Sequence, residues 1–294
     1  MSETTASLRH KIGSAEDLQS VVRTMKAVAA ANIGQYEEAV SALNDYNRAV
    51  EMGLGLCLHE MGKPLKKSKN TVLTTEPVGA IVFGSDQGLV GQFNEALADY
   101  MLQILSAKAS VPPEIWAVGE RMQARLLEAG LTQMHAFGVP QSLKKITPLV
   151  SEILMASETR HSQGHISELL LFYNSPSTGV VYRPVHFSLL PLDTHFRKQQ
   201  TQFNWPGTCL PRVVGDKAAA LHVLIGEHLF VSLFRACAES LASENASRLA
   251  AMQRADKNID ELLDTLHGDF NRLRQSGIDE ELFDVIAGFE ALKG

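Results

Sequence analysis

The chain has 294 residues, of which 45% are hydrophobic and 20% charged, a composition typical of a folded protein with room for two domains. Its formal net charge of −6 argues against a nucleic-acid-binding protein, because neutralising phosphates requires a concentrated basic surface. No run of about 18 consecutive apolar residues is present and the first residues lack the pattern of a signal peptide, so the sequence predicts no direct membrane span.

The first predicted element is one long helix within an N-terminal segment, residues 1–62. Residues 8–58 contain no proline, and apolar residues recur at alternating steps of three and four. The heptad-like pattern predicts a coiled-coil helix of about fifty residues, on the order of 75 Å long. The segment KPLKKSKN at 63–70 is predicted to end it. The positions of this first seam are Leu8, Ile12, Ala15, Gln19, Val22, Lys26, Ala29, Ile33, Tyr36, Val40, Leu43, Asn47, Val50 and Leu54.

The middle of the chain, residues 71–191, alternates strand-like apolar runs with helix-like stretches. This alternation predicts an open, mostly parallel, Rossmann-like α/β domain. The last two strand-like runs are separated only by SPSTG and are predicted to form a hairpin at the edge of the sheet. The strand-like runs are 78–84, 114–119, 132–138, 166–174 and 179–190, and the helix-like stretches are 93–108, 120–130 and 143–160.

The last part of the chain is predicted to be a linker loop, residues 192–215, followed by a second coiled-coil helix with a tip, residues 216–294. Proline is absent from 216 to 292. A helix of about 75 residues, roughly 115 Å long, must pack along its length on another element. The second seam consists of Ala238, Ala242, Asn245, Leu249, Met252, Asp256, Ile259, Leu263, Leu266, Phe270 and Leu273.

The two long helices bracket the α/β domain, so we predict that they pair as an antiparallel coiled coil. By helical rise the second helix extends beyond the first by about twenty residues. This unaccompanied end carries apolar side chains that have no internal partner, and such an exposed patch usually marks a binding surface. The arrangement resembles an axle with an apolar tip. The apolar residues are Ile278, Leu282, Phe283, Val285, Ile286, Phe289 and Leu292.

The best candidate for a nucleotide site is the glycine-rich turn FGSDQGLVGQFN, residues 83–94, between a predicted strand and a helix. Its glycines are spaced GxxxGxxG rather than GxGxxG, and no GxxxxGK[ST] occurs in the chain. We therefore predict a tight turn in which Ser85 or Asp86 satisfies free backbone N–H groups.

Other candidate sites for chemistry are weak, and we expect no metal, no cofactor and no catalytic residue. His161 and His165 stand four residues apart in HSQGH, but the Glu of HExxH is missing and a helix end is the favoured interpretation. Cys57, Cys209 and Cys237 form no CxxC pair and are predicted to be reduced, buried thiols of a cytoplasmic protein.

Three blocks of sequence resemble the gamma subunits of F-type ATP synthases and ATPases. LRHKIGSAEDLQSVVRTMKAVAAANI (8–33) is similar to the opening helix of that family, and VFGSDQGLVGQFN (82–94) to its Ser-Asp-Arg-Gly-Leu-Cys-Gly-Gly-Phe-Asn block. Residues 239–292 resemble its C-terminal signature. Several positions depart from the family pattern, which indicates a divergent branch; they are Asn32, Gln87, Val90, Leu249, Ile259 and Asp279.

The resemblance implies a non-catalytic rotor that couples ion flow through a membrane ring to ATP synthesis or hydrolysis. The implied partners are the alpha and beta subunits of the catalytic head, the epsilon subunit and the membrane c-ring. It also implies a peripheral protein on the cytoplasmic face of the cell inner membrane. Met25 and Lys26 are implied to face an acidic lever of the catalytic subunits, and the upper contacts with the head are implied for Arg248, Arg274, Gln275 and Glu281.

Two other interpretations remain open at this point. A nucleotide-binding α/β enzyme could use the long helices as oligomerisation arms. A coiled-coil scaffold protein could use them only to dimerise, because long amphipathic helices often do no more than that.

Overall fold

The computed structural model describes residues 4–61, 77–108, 111–192, 207–209 and 211–291, and it forms five helices and five strands within those ranges. The predicted helix end at 63–70, most of the predicted linker and Leu292 lie outside the described residues. In chain order the elements are α1 (Thr5–Met61), β1 (Val78–Phe83), α2 (Phe93–Lys108), β2 (Glu114–Val118), α3 (Glu120–Glu128), β3 (Met134–Phe137), α4 (Leu143–Ser162), β4 (Glu168–Ser177), β5 (Val180–Leu190) and α5 (Lys217–Ala291).

The chain divides into two compact units that cut across both long helices. One unit consists of Met1–Ala30 and Arg248–Gly294, and the other of Ala31–Ser247. We call them the end unit and the sheet unit. The division into four domains drawn from the sequence follows element boundaries instead, and it stays a prediction.

The sheet unit contains a five-stranded sheet in the order β3-β2-β1-β4-β5. The pairs β1–β2, β1–β4 and β2–β3 are parallel, whereas β5 lies antiparallel to β4 at the edge. Alternate side chains of β1 serve two cores: Ala80 and Val82 pack with α2 and α3, while Ile81 and Phe83 pack with α4 and α5. The predicted α/β fold class, with its edge hairpin and long terminal helices, is confirmed.

Within the sheet unit, α1 and α5 run antiparallel. Asn32 Nδ2 donates to Asn245 Oδ1 at 3.3 Å, and further along α1 the Tyr46 hydroxyl donates to Glu227 at 2.7 Å. Near the end of α1, Lys217 Nζ lies 2.7 Å from Glu60 Oε2. Later residues of α1 therefore meet earlier residues of α5. All the positions of the first and second seams are buried or half-buried, as a coiled-coil pattern predicts.

One described helix, Lys217–Phe289, is long and apolar enough in part to cross a membrane by length and composition alone. Its apolar residues have another use, because Leu229, Leu233, Ala236 and Cys237 belong to the core against the sheet. Packing against the sheet therefore accounts for part of the apolar stretch, of which 33% is buried inside the protein.

The prediction that all three cysteines are buried is wrong for Cys209, which is exposed, while Cys57 and Cys237 are buried. The segment around Cys209 contains Pro, Gln and Thr and has no periodic apolar face that could take it into a core. Burial raises the pKa of the Cys57 and Cys237 thiols, so neither is an activated thiolate.

Candidate functional site

The end unit is a pair of antiparallel helix segments held by a small apolar cluster. Ala15 and Val22 of α1 pack with Met252 and Ile259 of α5, and Met25 is partly buried against them. Since 3.6-residue periodicity brings residues three and four apart onto one face, each helix contributes one stripe to the cluster. The cluster is thin, so polar contacts at its border contribute to the register of the pair.

A charged group borders this cluster. Lys26 Nζ lies 2.6 Å from Asp256 Oδ2, and Arg23 Nε lies 3.3 Å from Asp256 Oδ1. The buried Gln19 donates to Asp260 one turn further along α5. The hydrogen bond from Lys26 is the main cause that holds the pKa of Asp256 below its ordinary value, with burial opposing it and Arg23 adding to it.

We expect this ion pair to make the stability of the helix pair depend on acidity. The pKa of Asp256 is lowered in the folded state. Its contribution is therefore fully present above the ordinary Asp pKa of about 4 and is lost as the pH falls through the lower, folded value. Wild-type protein should melt at a higher temperature than Asp256→Asn at pH 6, and this difference should shrink towards pH 3.

Thermal unfolding followed by helical circular dichroism measures that difference, with Asp264→Asn as the control at an exposed position of the same helix. A gap between wild type and Asp256→Asn that stays constant from pH 6 to pH 3 would contradict the assignment.

The six residues implied by the resemblance lie at three places on the two long helices. Met25 and Lys26 lie at the apolar cluster and the ion pair, and Arg248 lies half-buried at the start of the end unit's α5 segment. An exposed group follows about 26 residues after Arg248, or roughly 40 Å along a helix. It comprises Arg274, Gln275 and Glu281.

The sequence patterns missed the partner of Lys26. Asp256 was recognised only as a polar position of the second seam, and Arg23 was not singled out. A detectable signal existed: the basic pair Arg23 and Lys26 and the acidic pair Asp256 and Asp260 each have helical spacing of three or four. Complementary charges at such spacing on antiparallel seams predict cross-helix pairs.

The end of α5 exposes a set of large apolar side chains. All residues from 278 to 289 are exposed, and the large apolar ones have between 47% and 70% of their surface accessible. Ile278, Leu282, Val285 and Phe289 recur at steps of four and three, which places them on one helical stripe. The predicted apolar end is therefore present within the described residues, although Leu292 lies beyond them. The exposed set is Ile278, Leu282, Phe283, Val285, Ile286 and Phe289.

The glycine-rich turn between β1 and α2 is filled by the protein's own groups. Ser85 N donates to Asn94 Oδ1 at 3.0 Å, and Asn94 Nδ2 donates to Ser85 Oγ at 2.8 Å. A Cβ at Gly84 would lie 2.4 Å from Met122 Cβ. The glycine lets the chain pack on itself, so the turn lacks the open backbone N–H cradle that a phosphate needs.

Asp86 does satisfy backbone N–H groups, but they belong to other loops than the sequence indicated. Its Oδ1 accepts from Glu120 N at 3.0 Å, and its Oδ2 accepts from Val139 N at 3.1 Å. The carboxylate thus ties the loop after β1 to the loops after β2 and β3. Parallel strands bring these three loops to one edge of the sheet.

We expect Asp86→Ala to destabilise the protein by about 2 kcal/mol, because two backbone N–H groups lose a charged acceptor and water replaces it only in part. Urea unfolding of the full chain measures the free energy of unfolding. Gln87→Ala, at the exposed neighbouring position, is the matched control and should change it little. Equal effects of the two substitutions would show that the Asp86 carboxylate does not hold the three loops.

The histidine pair His161 and His165 does not have the geometry of a helical metal site. Helix α4 ends at Ser162, and His165 lies past that end with its N donating to Arg160 O at 3.0 Å. The spacing of four therefore does not put both imidazoles on one helix face. Among the residues that the structure describes, no group of three or more His, Cys, Asp or Glu side chains could hold a metal ion.

Comparisons with known proteins agree with this architecture. A family model described as ATP synthase matches residues 4–292. The ATP synthase gamma chain of Anaeromyxobacter sp. (strain Fw109-5) is 27% identical over 315 residues, covering 97% of this chain and 98% of the relative. The gamma chain of Sorangium cellulosum (strain So ce56) is 28% identical over 320 residues, covering 98% of both.

Among solved structures, the fold is similar to a chain in the cryo-EM structure of the Euglena gracilis mitochondrial ATP synthase described as OSCP/F1/c-ring, rotational state 3. The TM-score is 0.65 at 16% identity, covering 98% of this chain and 94% of that one. At that level of identity the likeness concerns the fold.

Proposed function

The chain belongs to the family of ATP synthase gamma chains, and from that premise we propose how it works as the central rotor of an F-type ATP synthase or ATPase. It is a non-catalytic component of that enzyme. The observation that carries the mechanical proposal is the apolar end of α5, where residues 278–289 are exposed beyond the antiparallel helix pair.

The physical role of such a shaft is to make equivalent catalytic sites unequal. A shaft with different faces presses differently on each of the surrounding sites, and the nucleotide affinity of each site follows its conformation. Turning the shaft then moves each site through the same sequence of affinities. Ion flow through a membrane ring would drive this rotation during synthesis, and ATP hydrolysis would drive it in reverse.

The exposed apolar end fits a rotating contact. Apolar burial is favourable but has no preferred direction, so a side chain such as Leu282 can slide against an apolar sleeve at little cost. Fixed hydrogen bonds would instead favour one angle. We infer that residues 278–289 occupy an apolar sleeve formed by the alpha and beta subunits.

The ion pair at Lys26 supports a different kind of contact. About 34% of the Lys26 side chain is accessible, and its ammonium group already pairs with Asp256. An acidic lever of a catalytic subunit would have to share or displace that partner. Solvated ion pairs are worth only about 0–1 kcal/mol, so such an exchange can occur at each step of rotation without trapping the shaft.

The remaining contacts are assigned in the same way. Met25 would face the lever together with Lys26. The catalytic head would also contact Arg248 and the exposed group Arg274, Gln275 and Glu281. The sheet unit would contact the epsilon subunit and the c-ring. These contacts would hold the chain as a peripheral protein at the cytoplasmic face of the cell inner membrane.

Reconstitution tests the proposal directly. The full chain is mixed with purified alpha and beta subunits, and the assembled ring is isolated by size-exclusion chromatography in the presence of nucleotide. We expect the chain to co-elute with the ring in a single copy, while the isolated chain shows no ATP binding by calorimetry. ATP binding by the isolated chain, lost in Gly88→Val, where an added Cβ meets only ordinary contacts, would favour a nucleotide-binding enzyme. A dimer that does not bind the ring would favour a scaffold.

A further inference from the structure

Helix α5 carries an unusually polar buried stretch where it crosses the sheet unit. The sequence ESLASENAS, residues 239–247, faces the protein interior, where apolar residues normally predominate. A helix that needed only to pack on the sheet would not require these side chains. The buried polar residues of this stretch are Glu239, Ser240, Ser243, Glu244, Asn245 and Ser247.

Two of the serines bind backbone carbonyls of the glycine-rich turn. Ser240 Oγ donates to Phe83 O at 3.1 Å, and Ser247 Oγ donates to Val90 O at 2.5 Å. The two serines are seven residues apart, which is two helical turns, so both lie on the same face of α5. One face of the helix thus binds the turn at two points.

The turn that accepts these bonds is itself firmly attached to the sheet. Ser85 and Asn94 bind each other across it, and Asp86 ties it to the loops after β2 and β3. If α5 moved sideways, its hydrogen bonds to the carbonyls of Phe83 and Val90 would be stretched. The turn could not follow the helix, because it is held to the ends of β1, β2 and β3.

Glu239 adds a third attachment, on a different strand. Its Oε2 accepts from the Tyr173 hydroxyl at 3.0 Å and from Ser175 Oγ at 2.9 Å, both on β4. Its other oxygen lies 2.8 Å from Arg235 Nε on the same helix. Burial of the Tyr173 hydroxyl next to this carboxylate raises the pKa of Tyr173, so the hydroxyl keeps its proton and stays a donor.

We propose that Glu239, Ser240 and Ser247 form a torque clasp, a set of directional bonds that makes the five-stranded sheet turn together with α5. The proposal rests on the rotor function proposed above. Apolar contacts between α5 and the sheet hold the helix in place, but the hydrophobic effect itself has no preferred direction. Hydrogen bonds weaken steeply with distance and angle, so they resist rotation of the helix against the sheet. The clasp residues are positioning residues for torque and touch no nucleotide.

The chain offers a matched control for the two serines. Ser243 lies between them, is fully buried, and its hydroxyl has no hydrogen-bond partner among the described residues. Ser243→Ala removes the same atom from the same helix without removing a bond. The double variant Ser240→Ala/Ser247→Ala removes two bonds to the turn, and each single variant removes one.

The experiment uses the complex of the full chain with the catalytic ring fixed to a surface. A rod is attached through Lys144→Cys on the exposed side of α4, in a Cys209→Ser background. With the ring stalled by a non-hydrolysable ATP analogue, the variance of the rod angle reports torsional stiffness. Hydrogen exchange of the amides of residues 85–92 in the same complex reports opening of the turn.

We expect exchange of the turn to rise about fivefold for each hydrogen bond lost, and the angular variance to rise in the double variant. Ser243→Ala should match the parent in both measurements, and the unloaded rate of ATP hydrolysis should stay unchanged in all variants. A double variant that assembles and behaves like Ser243→Ala in exchange and variance overturns the clasp. If the double variant does not assemble, the single variants decide by the same comparison.

The outcome separates the clasp from the rotor function. If the parent complex with its rod shows no ATP-driven rotation, the proposed function itself fails. If the rod rotates and the variants are as stiff as the parent, only the clasp is wrong.

Discussion

Replacing Gly119 by alanine is expected to destabilise the protein by about 3–5 kcal/mol, a large part of the total stability of a typical domain. Gly119 precedes α3 with φ of 104° and ψ of 125°, which an L side chain rarely adopts. An added Cβ would also lie 2.7 Å from Ser85 O and 2.8 Å from Ser85 N. Backbone strain and overpacking each cost about 1–3 kcal/mol, and both apply here.

The neighbouring chain cannot move aside without breaking other bonds. Gly119 N donates to Phe137 O at 2.9 Å, Gly119 O accepts from Gln123 N at 3.0 Å, and Ser85 O accepts from Arg121 N at 3.0 Å. A shift that relieved the contact with Ser85 would stretch bonds that belong to three strands and α3. The backbone around Gly119→Ala therefore cannot relax without losing hydrogen bonds.

Urea unfolding of Gly119→Ala and Gly130→Ala separates the two causes. Gly130 also has a positive φ, of 86°, but nothing lies within 4 Å of an added Cβ there. Gly130→Ala should cost only about 1–2 kcal/mol of backbone strain. Equal losses at the two positions would mean that the close approach of the loops after β1 and β2 has no energetic weight.

The coiled-coil seams and the fold class could be predicted because the information is local. Hydrophobic periodicity over fifty residues predicts which face of the helix is buried, and it does so without knowledge of the element that packs on that face. Leu8 and Leu54, at the two ends of the first seam, are both buried. The alternation of Ala80 and Ile81 between two cores likewise follows from the period of a strand.

The contacts that depend on distant residues could not be predicted from one sequence. Asp86 was expected to satisfy nearby N–H groups, yet it binds residues 34 and 53 positions later. Ser240 binds a carbonyl 157 positions earlier in the chain. A hydrogen bond of this kind leaves no periodic pattern, because it depends on how loops meet after the sheet has formed.

The exposure of Cys209 illustrates a second limit. The three cysteines form no CxxC pair, and the sequence therefore predicts reduced, buried thiols. Burial requires an apolar face that recurs along an element, and the segment around Cys209 has none. The lack of a disulfide or metal pattern says nothing about whether a thiol is buried.

Two glycines that follow strands show why a motif has to be interpreted together with its packing. Gly84, in the glycine-rich turn, and Gly119, after β2, stand where a nucleotide-binding protein brings its backbone close to a phosphate. Here the close approach is made by Met122 and by the backbone of Ser85. In this protein the two glycines therefore allow its own elements to approach each other closely.

The exposed apolar set at the end of α5, to which Leu282 and Ile286 both belong, gives the second large effect. In the proposed assembly we expect Leu282→Gln/Ile286→Gln to weaken binding of the chain to the catalytic ring at least about tenfold, or at least about 1.4 kcal/mol. Full burial of a leucine or isoleucine side chain contributes about 1.5–3 kcal/mol. Leu282 and Ile286 are 56% and 47% exposed, so both have apolar area left to bury in a partner.

The matched control also introduces two glutamines four residues apart, but at polar positions of the same part of α5. Glu280→Gln/Asp284→Gln leaves every apolar residue of the stripe in place, and both positions are exposed. The dissociation constant is measured by fluorescence anisotropy of the labelled chain titrated with the ring, and helical circular dichroism verifies that α5 stays folded. The control should bind like wild type, because solvated charges contribute little to affinity at an interface rim. If the apolar variant binds as tightly as the control, the stripe is not seated in a sleeve. The exposed residues from 278 to 289 would then mark a contact with a partner other than the catalytic ring, because an exposed apolar patch usually marks a binding surface.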